Sequence, residues 1–517
     1  DVRFSSIPLT LENTDLDGTG DGVIGSGAPN NLTSCQLFDG SVALNTGTNA
    51  VDPSGSATTS DTTSTFTFDS PFTVLKSTVK VVPLKCKVST ASLAGSQYEW
   101  GIAAAPAITV TGVTSGGEVT ETVTASAGQI MTVAGTGTLT IVADTSTPPY
   151  TIASAGTSGV TLGVLKFRAA NEAINLSRVA FQLTNTASSS ITDLTGISVW
   201  DGGTQVGTAV FTSTRFATST LTTTVTVPKD GDKALTIKGD LAQVGTSLPA
   251  TQGALIGVNY DGGDSTGTRG IGAASGATIN QGSSSDTAFA GVRMFKSFPK
   301  FTKLSLPSTK IAGTETGKVL YRFSIKADSA GSVGIYQFAF YVATSSLPVG
   351  ATTSVTNLKM KAFTDSTFSS PVNGFGESGA PAGQLNNTIA TLAFNSGTTT
   401  LLMNASTQGT GGDFLQIPAG ATYYFQLVGD INQSNSPTGS SVQARIEGDH
   451  TYPTFPETGN YQMSIAASTT VLLASHTDFI WSPNATTSSL TTHSDWTDGY
   501  FVPGLTADNM DAETLNQ

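Results

Sequence analysis

A short acidic stretch near the start of the chain carries the sharpest motif for chemistry. It reads Asp15-Leu-Asp-Gly-Thr-Gly-Asp-Gly22, with closely spaced carboxylates and glycines between them. Carboxylate oxygens at this spacing are ligands that a hard cation such as Ca²⁺ prefers, and glycine lets the backbone curl around the ion. The motif predicts a calcium site formed by Asp15, Asp17 and Asp21. The alternative interpretation is an Asp/Gly-rich turn between two strands, without a metal.

Motifs for catalysis do not reach comparable strength anywhere in the sequence. Gly263-Asp-Ser-Thr-Gly267 matches the G-x-S-x-G pattern of a nucleophile elbow, but that motif needs a following helix and none is predicted there. The three histidines, His450, His476 and His493, show none of the close spacings that bind zinc. No glycine-rich loop that cradles phosphate opens a helix. The sequence therefore predicts a protein that is not an enzyme.

The composition excludes several classes of partner. Charged residues make up 12% of the 517, and the formal net charge is −13, so the basic surface that nucleic acid requires is not expected. The sequence has no run of about 18 or more apolar residues, and no membrane span is predicted. The 56 glycines and the many Ser and Thr residues favour strands joined by tight turns. A hydrophobic content of 38% still permits packed cores.

The two cysteines indicate where the protein works. Cys35 and Cys86 both fall on predicted strands of the same unit. So few cysteines in so long a chain are typical of an exported protein that avoids free thiols. We predict a disulfide between them and an extracellular or cell-surface location. Two buried thiols are the alternative.

A repeated stretch predicts the architecture of the chain. It occurs as Val227–Leu241, Ile417–Ile431 and Val74–Val88. In each copy a turn is followed by an alternating strand, and the first and last apolar residues have the same spacing. Three such matches indicate an internal repeat.

Short alternating strands separated by turn signals predict an all-β chain of tandem Ig-like β-sandwich domains with long decorated loops. The units are 1–132, 133–297 and 298–482, followed by a Ser/Thr-rich tail over 483–517. The second and third units show the same order of strands. The first unit begins with the counterpart of the third strand, at Phe4–Asn13, so it lacks its first two strands.

The missing strands lead to a hypothesis of assembly. Two strands bury about six side chains, worth about 10–15 kcal/mol, which is comparable to the stability of a whole domain. We hypothesise that another copy supplies strands by β-augmentation, which would build an open polymer. Thr469–Leu473 or Tyr500–Leu505 could donate. The alternatives are that residues preceding Asp1 fill the gap, or that the unit closes alone. The residues expected to contact another chain are Trp496, Tyr500, Phe501, Val502 and Leu505.

These features together resemble microbial surface-layer and extracellular filament proteins. The strand ends Phe38-Asp-Gly40 and Trp200-Asp-Gly202, the three repeated stretches and the Asp15–Gly22 loop carry the resemblance. The loop is similar to the calcium loops of EF-hand-like and bacterial surface proteins, although its twelfth position is Ser26, not glutamate. The resemblance implies an exported, non-enzymatic subunit that polymerises with copies of itself on the cell exterior, often with Ca²⁺. The alternative is an adhesin or carbohydrate-binding protein that contacts cell-envelope glycans.

Overall fold

The computed structural model describes most of the chain. The described residues are 1–12, 27–56, 61–104, 106–184, 189–281, 285–372, 382–385, 397–404, 414–435, 437–448, 479–485, 496–505 and 510–517. Within these ranges the prediction of an all-β fold is confirmed, since the regular elements are strands and short 3₁₀ helices. None of the described helices has the length and apolar character that crossing a membrane requires. The 3₁₀ helices are Pro29–Asn31, Gly47–Asn49 and Ile191–Asp193.

The first unit contains two small sheets and a separate pair of short strands. One sheet has the order β4-β1-β7, with β8 also on β1; the other has the order β3-β2-β5; and β6 pairs with β9. Apolar residues such as Phe66 and Leu37 alternate along these strands and form the core between the sheets. The strands are β1 (Val2–Leu11), β2 (Leu32–Asp39), β3 (Val42–Ala43), β4 (Thr62–Val74), β5 (Leu84–Val88), β6 (Gln97–Tyr98), β7 (Trp100–Gly101), β8 (Thr109–Gly112) and β9 (Met131–Thr132).

The second unit is built on one continuous path of strands. Its order is β10-β12-β17-β14-β15-β16-β13-β18-β21-β11, with the hairpin β19–β20 on β13. β12 and β17 face β13 and β16 across a core that includes Phe167 and Phe181. The strands are β10 (Thr138–Ala143), β11 (Thr151–Ser154), β12 (Val160–Ala170), β13 (Ile174–Thr184), β14 (Leu194–Asp201), β15 (Thr204–Ala209), β16 (Phe216–Val227), β17 (Asp232–Leu241), β18 (Leu255–Tyr260), β19 (Arg269–Gly272), β20 (Thr278–Asn280) and β21 (Val292–Phe295).

The third unit is a sandwich of two sheets. One has the order β22-β23-β28-β25, and the other has the order β26-β24-β29-β31, with β27 and β30 also on β24. β31 comes from the end of the chain, so the described residues of 483–517 complete this unit instead of forming a separate tail. The strands are β22 (Pro299–Lys303), β23 (Glu315–Ala327), β24 (Val333–Ser345), β25 (Thr352–Phe363), β26 (Gly397–Asn404), β27 (Leu415–Ile417), β28 (Thr422–Ser434), β29 (Ser441–Ile446), β30 (Ile480–Ser482) and β31 (Glu513–Asn516).

The first two units share one strand framework. In the first unit β1 pairs with β4 and β2 pairs with β5. In the second unit β13 pairs with β16 and β14 pairs with β17 in the same way. Leu37 pairs with Leu84 in the first unit, as Val199 pairs with Ile237 in the second. Two kinds of side-chain contact recur as well, an ion pair and an ammonium over an aromatic ring. They are Lys80–Asp39 and Lys233–Asp201 for the ion pair, and Lys85–Phe38 and Lys238–Trp200 for the cation and ring.

A buried carboxylate fixes the turn between β12 and β13. Glu172 accepts hydrogen bonds from the backbone N–H groups of Gly137, Ala274 and Ser275 at 2.8–2.9 Å, and from the Ser275 hydroxyl at 2.6 Å. Burial raises the pKa of Glu172, but the hydrogen bonds from Ser275 and from the backbone outweigh it and lower this pKa to about 2. The carboxylate therefore ties the turn that follows β12 to the hairpin β19–β20.

Replacing this carboxylate by an amide is expected to destabilise the second unit. Glu172→Gln keeps the shape but sets an NH₂ group against backbone donors, and losing hydrogen bonds to a charged acceptor costs about 2 kcal/mol. The Tm of the unit should fall by about 4–8 °C at pH 7.

The effect of Glu172→Gln should also depend on pH. Because the folded-state pKa lies below the unfolded one, the stabilisation is fully present above about pH 4.5 and is lost as the pH falls towards 2. Calorimetry of both chains from neutral to acidic pH measures this. A difference in Tm that stays constant on acidification would contradict the role of the charge.

Candidate assembly site

The outer edge of β5 distinguishes the first unit from the other two. In the second unit the corresponding strand, β17, lies between β12 and β14, and in the third unit β28 lies between β23 and β25. β5 pairs with β2, and no other strand of the described residues lies beside it. The N–H and C=O groups along such an edge are available to pair with another strand.

A second strand edge faces the same opening. β9 corresponds to β21, which pairs with β11 as well as with β18. In the part of the first unit that the structure describes, β9 pairs with β6 alone. β11 and β12 are consecutive, so in the second unit the single segment 151–170 covers both edges. The first unit thus presents two uncovered edges, and the equivalent two edges of the second unit are both covered by the segment 151–170.

Side chains at these edges are exposed where their counterparts are buried. Val88 of β5 is 51% exposed, whereas Leu241, its counterpart in β17, is 3% exposed. Met131 of β9 is 64% exposed, and its counterpart Val292 in β21 is 2% exposed. Covering an apolar side chain of this size stabilises a protein by about 1.5–3 kcal/mol. The two edges therefore carry apolar surface that the second unit keeps covered.

The length of β5 also reflects the uncovered edge. β17 has ten residues and β5 has five. Residues 232–235 of β17 pair with β12 and not with β14. The corresponding residues of the first unit, 79–82, are not in a strand, and Val79 and Val81 are largely exposed. A strand laid on the outer edge of β5 would extend the ladder back over these residues.

Between the two edges lies an open groove of about 600 Å³. The buried indole Nε1 of Trp100 in its wall has no hydrogen-bond acceptor among the described residues. The residues that line the open groove are Leu32, Leu84, Lys85, Cys86, Val88, Tyr98, Trp100, Gln129 and Met131.

β5 and the segment that leads into it carry positively charged residues on an acidic protein. All four lysines of the first unit lie within the range 76–87, on β5 or just before it, and no Asp or Glu lies among them. The chain as a whole has a net charge of −13. Opposite potentials steer two molecules towards a specific encounter. Lys80 is paired with Asp39, while Lys85 lines the groove and Lys87 lies on the same strand. The edge of β5 is therefore suited to an acidic protein such as a second copy.

A disulfide links β5 to β2, the strand with which it pairs. Cys35 and Cys86 are joined, with an S–S distance of 2.02 Å. The bond links β2 to β5 at the position where Ile197 and Gly239 pair in the second unit. β17 is held by strands on both sides, whereas β5 has a covalent link to its one described neighbour. A structural disulfide is typical of an oxidising, extracellular compartment.

The predicted calcium ligands lie outside the described residues. Asp15, Asp17 and Asp21 all fall in the range 13–26, so calcium binding there stays a prediction. Elsewhere, the described residues contain no group of three or more His, Cys, Asp or Glu side chains placed to hold a metal ion.

The residues expected to contact another chain have partners within their own chain. The Trp496 ring is fully buried, and Val502 and Leu505 belong to the core of the third unit. Tyr500 and Phe501 pack edge-on against Tyr150 of the second unit, with ring centroids 5.3 and 5.5 Å away. A donated strand from 500–505 would have to leave this packing. The other predicted donor, 469–473, lies outside the described residues.

Sequence reasoning did not identify the walls of the open groove as a site. Trp100, Met131 and Val88 look like ordinary core residues of alternating strands, because their counterparts in the second unit are core residues. The signal that could have found them was available: each is a core position whose covering strand has no counterpart in the sequence of the first unit.

Comparisons with known proteins give only distant similarities. No known protein family matches the chain, and no curated protein matches it. The C-terminal domain of the Streptococcus agalactiae AgI/II polypeptide BspA is 10% identical, with a TM-score of 0.14, covering 60% of this chain and 95% of that one. The C-terminal domain of the Streptococcus pyogenes antigen I/II-family protein AspA is 10% identical, with a TM-score of 0.15, covering 60% and 94%. The T6 backbone pilin of serotype M6 Streptococcus pyogenes is 10% identical, with a TM-score of 0.13, covering 80% and 96%. Similarities of this size carry no argument about function.

Proposed function

We propose that this chain is a structural subunit of an extracellular assembly, a surface layer or a filament, in which a strand of one copy lies in the open groove of the next. The observation that carries the proposal is the uncovered outer edge of β5. The two other units of the same chain cover the equivalent edge with β12 and β23. The disulfide supports an extracellular location.

The geometry of the occupied units indicates how the strand would lie. β12 runs antiparallel to β17, with Leu165 opposite Leu235 and Phe167 opposite Lys233. Leu165 and Phe167 are fully buried. A donated strand would therefore run antiparallel to β5, place apolar side chains at alternate positions over the groove, and continue the sheet.

The symmetry of such a contact leads to a polymer. The groove and the donated strand are different surfaces of the chain, so each copy can give a strand to one neighbour and receive one from another. Contacts of this head-to-tail kind generate open filaments or extended arrays unless the rotation happens to close a ring. This arrangement supports a structural role, and the disulfide supports a location on the cell exterior.

Blocking the groove is expected to prevent assembly. Val88→Arg puts a charged side chain where an apolar strand must pack, and this should weaken association by about tenfold or more. Val88 is half exposed in the single chain, so folding should be little affected. Light scattering after size exclusion and electron microscopy measure the association.

The matched control is Val42→Arg, which changes an exposed residue of the same unit on β3, 65% exposed and not part of the groove wall. It should assemble as the unmodified chain does. An unmodified chain that stays monomeric at high concentration would contradict the proposal and favour closure of the groove by its own polypeptide.

A further inference from the structure

One position on β5 carries the opposite charge from its counterparts in the occupied units. In the second unit, Asp240 Oδ1 accepts a hydrogen bond from the backbone N–H of Gly159 at 2.8 Å. In the third unit, Asp430 Oδ1 accepts one from Gly317 at the same distance. Both glycines have positive φ and lie at the N-terminal end of the strand that covers the edge. A carboxylate therefore holds the start of the covering strand in both units.

The first unit has Lys87 at this position. Val88 and Leu241 are the paired ends of the two corresponding strands, and Lys87 and Asp240 come immediately before them. An ammonium has only donors, so it cannot accept a hydrogen bond from a turn N–H as Asp240 does. Lys87 is exposed, and no ion pair joins it to an acid of the described residues.

The charge reversal is confined to this position. The other three lysines of the segment 76–87, Lys76, Lys80 and Lys85, have lysine counterparts in the second unit. At least two of those counterparts make the same contacts, an ion pair and a cation over a ring. They belong to the shared framework, whereas Lys87 is specific to the unit with the uncovered edge. The counterparts are Lys229, Lys233 and Lys238.

We infer that Lys87 selects the donated strand by its charge, favouring a strand with an acidic residue just before its first paired residue. The inference rests on the proposed function and deepens it. β12 starts opposite the end of β17, so the start of a donated strand would lie beside Lys87. An Asp or Glu at that place would pair with the ammonium, in the reverse sense of the Asp240 contact. A strand that starts as β12 does, after a glycine, would instead place the backbone N–H of that glycine against the Lys87 ammonium, where two donors face each other.

An alternative role for Lys87 leads to a different prediction. Lysine on an edge strand can serve only to discourage pairing with other strands. In that case its removal should strengthen binding of every strand equally. Under charge selection, changing Lys87 should instead reverse the order in which strands bind.

The test uses synthetic peptides with the sequence of residues 151–170, the segment that covers the same edges in the second unit. Three forms carry Gly, Glu or Lys at position 159. The full-length chain is refolded with each labelled peptide, and binding is measured by fluorescence anisotropy. We expect the Glu form to bind about three- to tenfold more tightly than the Lys form, the range for a partly exposed charge contact and its reversal.

The Lys87→Asp chain should reverse this order and bind the Lys form more tightly. The Lys76→Asp chain makes the same charge change away from the start of the strand, and it should keep the original order. Binding of all forms with equal affinity, or a uniform gain in Lys87→Asp, would overturn charge selection and leave the proposed function standing. Failure of every peptide to bind, together with a monomeric chain, would remove both.

Discussion

A chain whose first unit carries its own covering strands is expected to stay monomeric. The change is to join a second copy of residues 138–172 directly to Asp1. In the strand ladders Ile174 corresponds to Val2, because each pairs with the last residue of the neighbouring strand, Val227 or Val74. Residue 173 therefore corresponds to Asp1, and the added segment enters β1 through the same turn that joins β12 to β13.

The added strand should outcompete any strand from another molecule. A segment joined by a short connection has an effective concentration in the millimolar range, far above the micromolar concentration of other copies. It also brings apolar side chains of the Leu165 and Phe167 type, each worth about 1.5–3 kcal/mol when buried. Assembly should be lost, and the Tm of the first unit should rise.

Light scattering and hydrogen exchange measure the two effects. The matched control carries Phe167→Asp in the added copy alone, which keeps the length and connection but not the apolar fit. This control should still assemble. If both fusions were monomeric, the added length itself would be blocking assembly, and if both assembled, the open groove would not be the contact.

The strand framework could be predicted because its determinants are local. The spacing between Val74 and Val88 equals that between Val227 and Leu241, and alternation along each stretch predicts which side chains face inward. In the structure β5 pairs with β2 as β17 pairs with β14, and Leu84 and Ile237 hold equivalent positions in the two pairings. A turn and the strand after it are encoded within one short stretch, so comparison of repeats identifies them without knowledge of distant contacts.

The role of the chain end could not be predicted, because its partners are distant in sequence. The backbone N–H of Phe301 donates to Pro503 O at 2.7 Å, and β31 pairs with β29. A Ser/Thr-rich composition gives no alternation that would indicate such pairing. Trp496 and Leu505 look like exposed apolar residues in the sequence, and they are buried because strands far from them in sequence cover them.

Reducing the disulfide is expected to unfold the first unit and leave the other two folded. The bond between Cys35 and Cys86 closes a loop with a sequence separation of 51, which in the chain-entropy account stabilises the folded state by about 4 kcal/mol. Within the described residues, the core cluster of the first unit has nine buried members, against 32 in the second. A loss of this size is comparable to the whole stability that so small a core supplies.

Hydrogen exchange with and without a reductant locates the effect. Protection should be lost along β1, β2, β4 and β5 and kept along β13 and β24. The double variant Cys35→Ala and Cys86→Ala should behave like the reduced chain without any reductant, which separates loss of the bond from other effects of reduction. In the chain with the added copy of 138–172, the added strand also holds β5 from its other side. After reduction, the first unit of this chain should therefore unfold at a higher denaturant concentration than the first unit of the unmodified chain. Equal sensitivity of the two chains would mean that the added strand does not lie on β5.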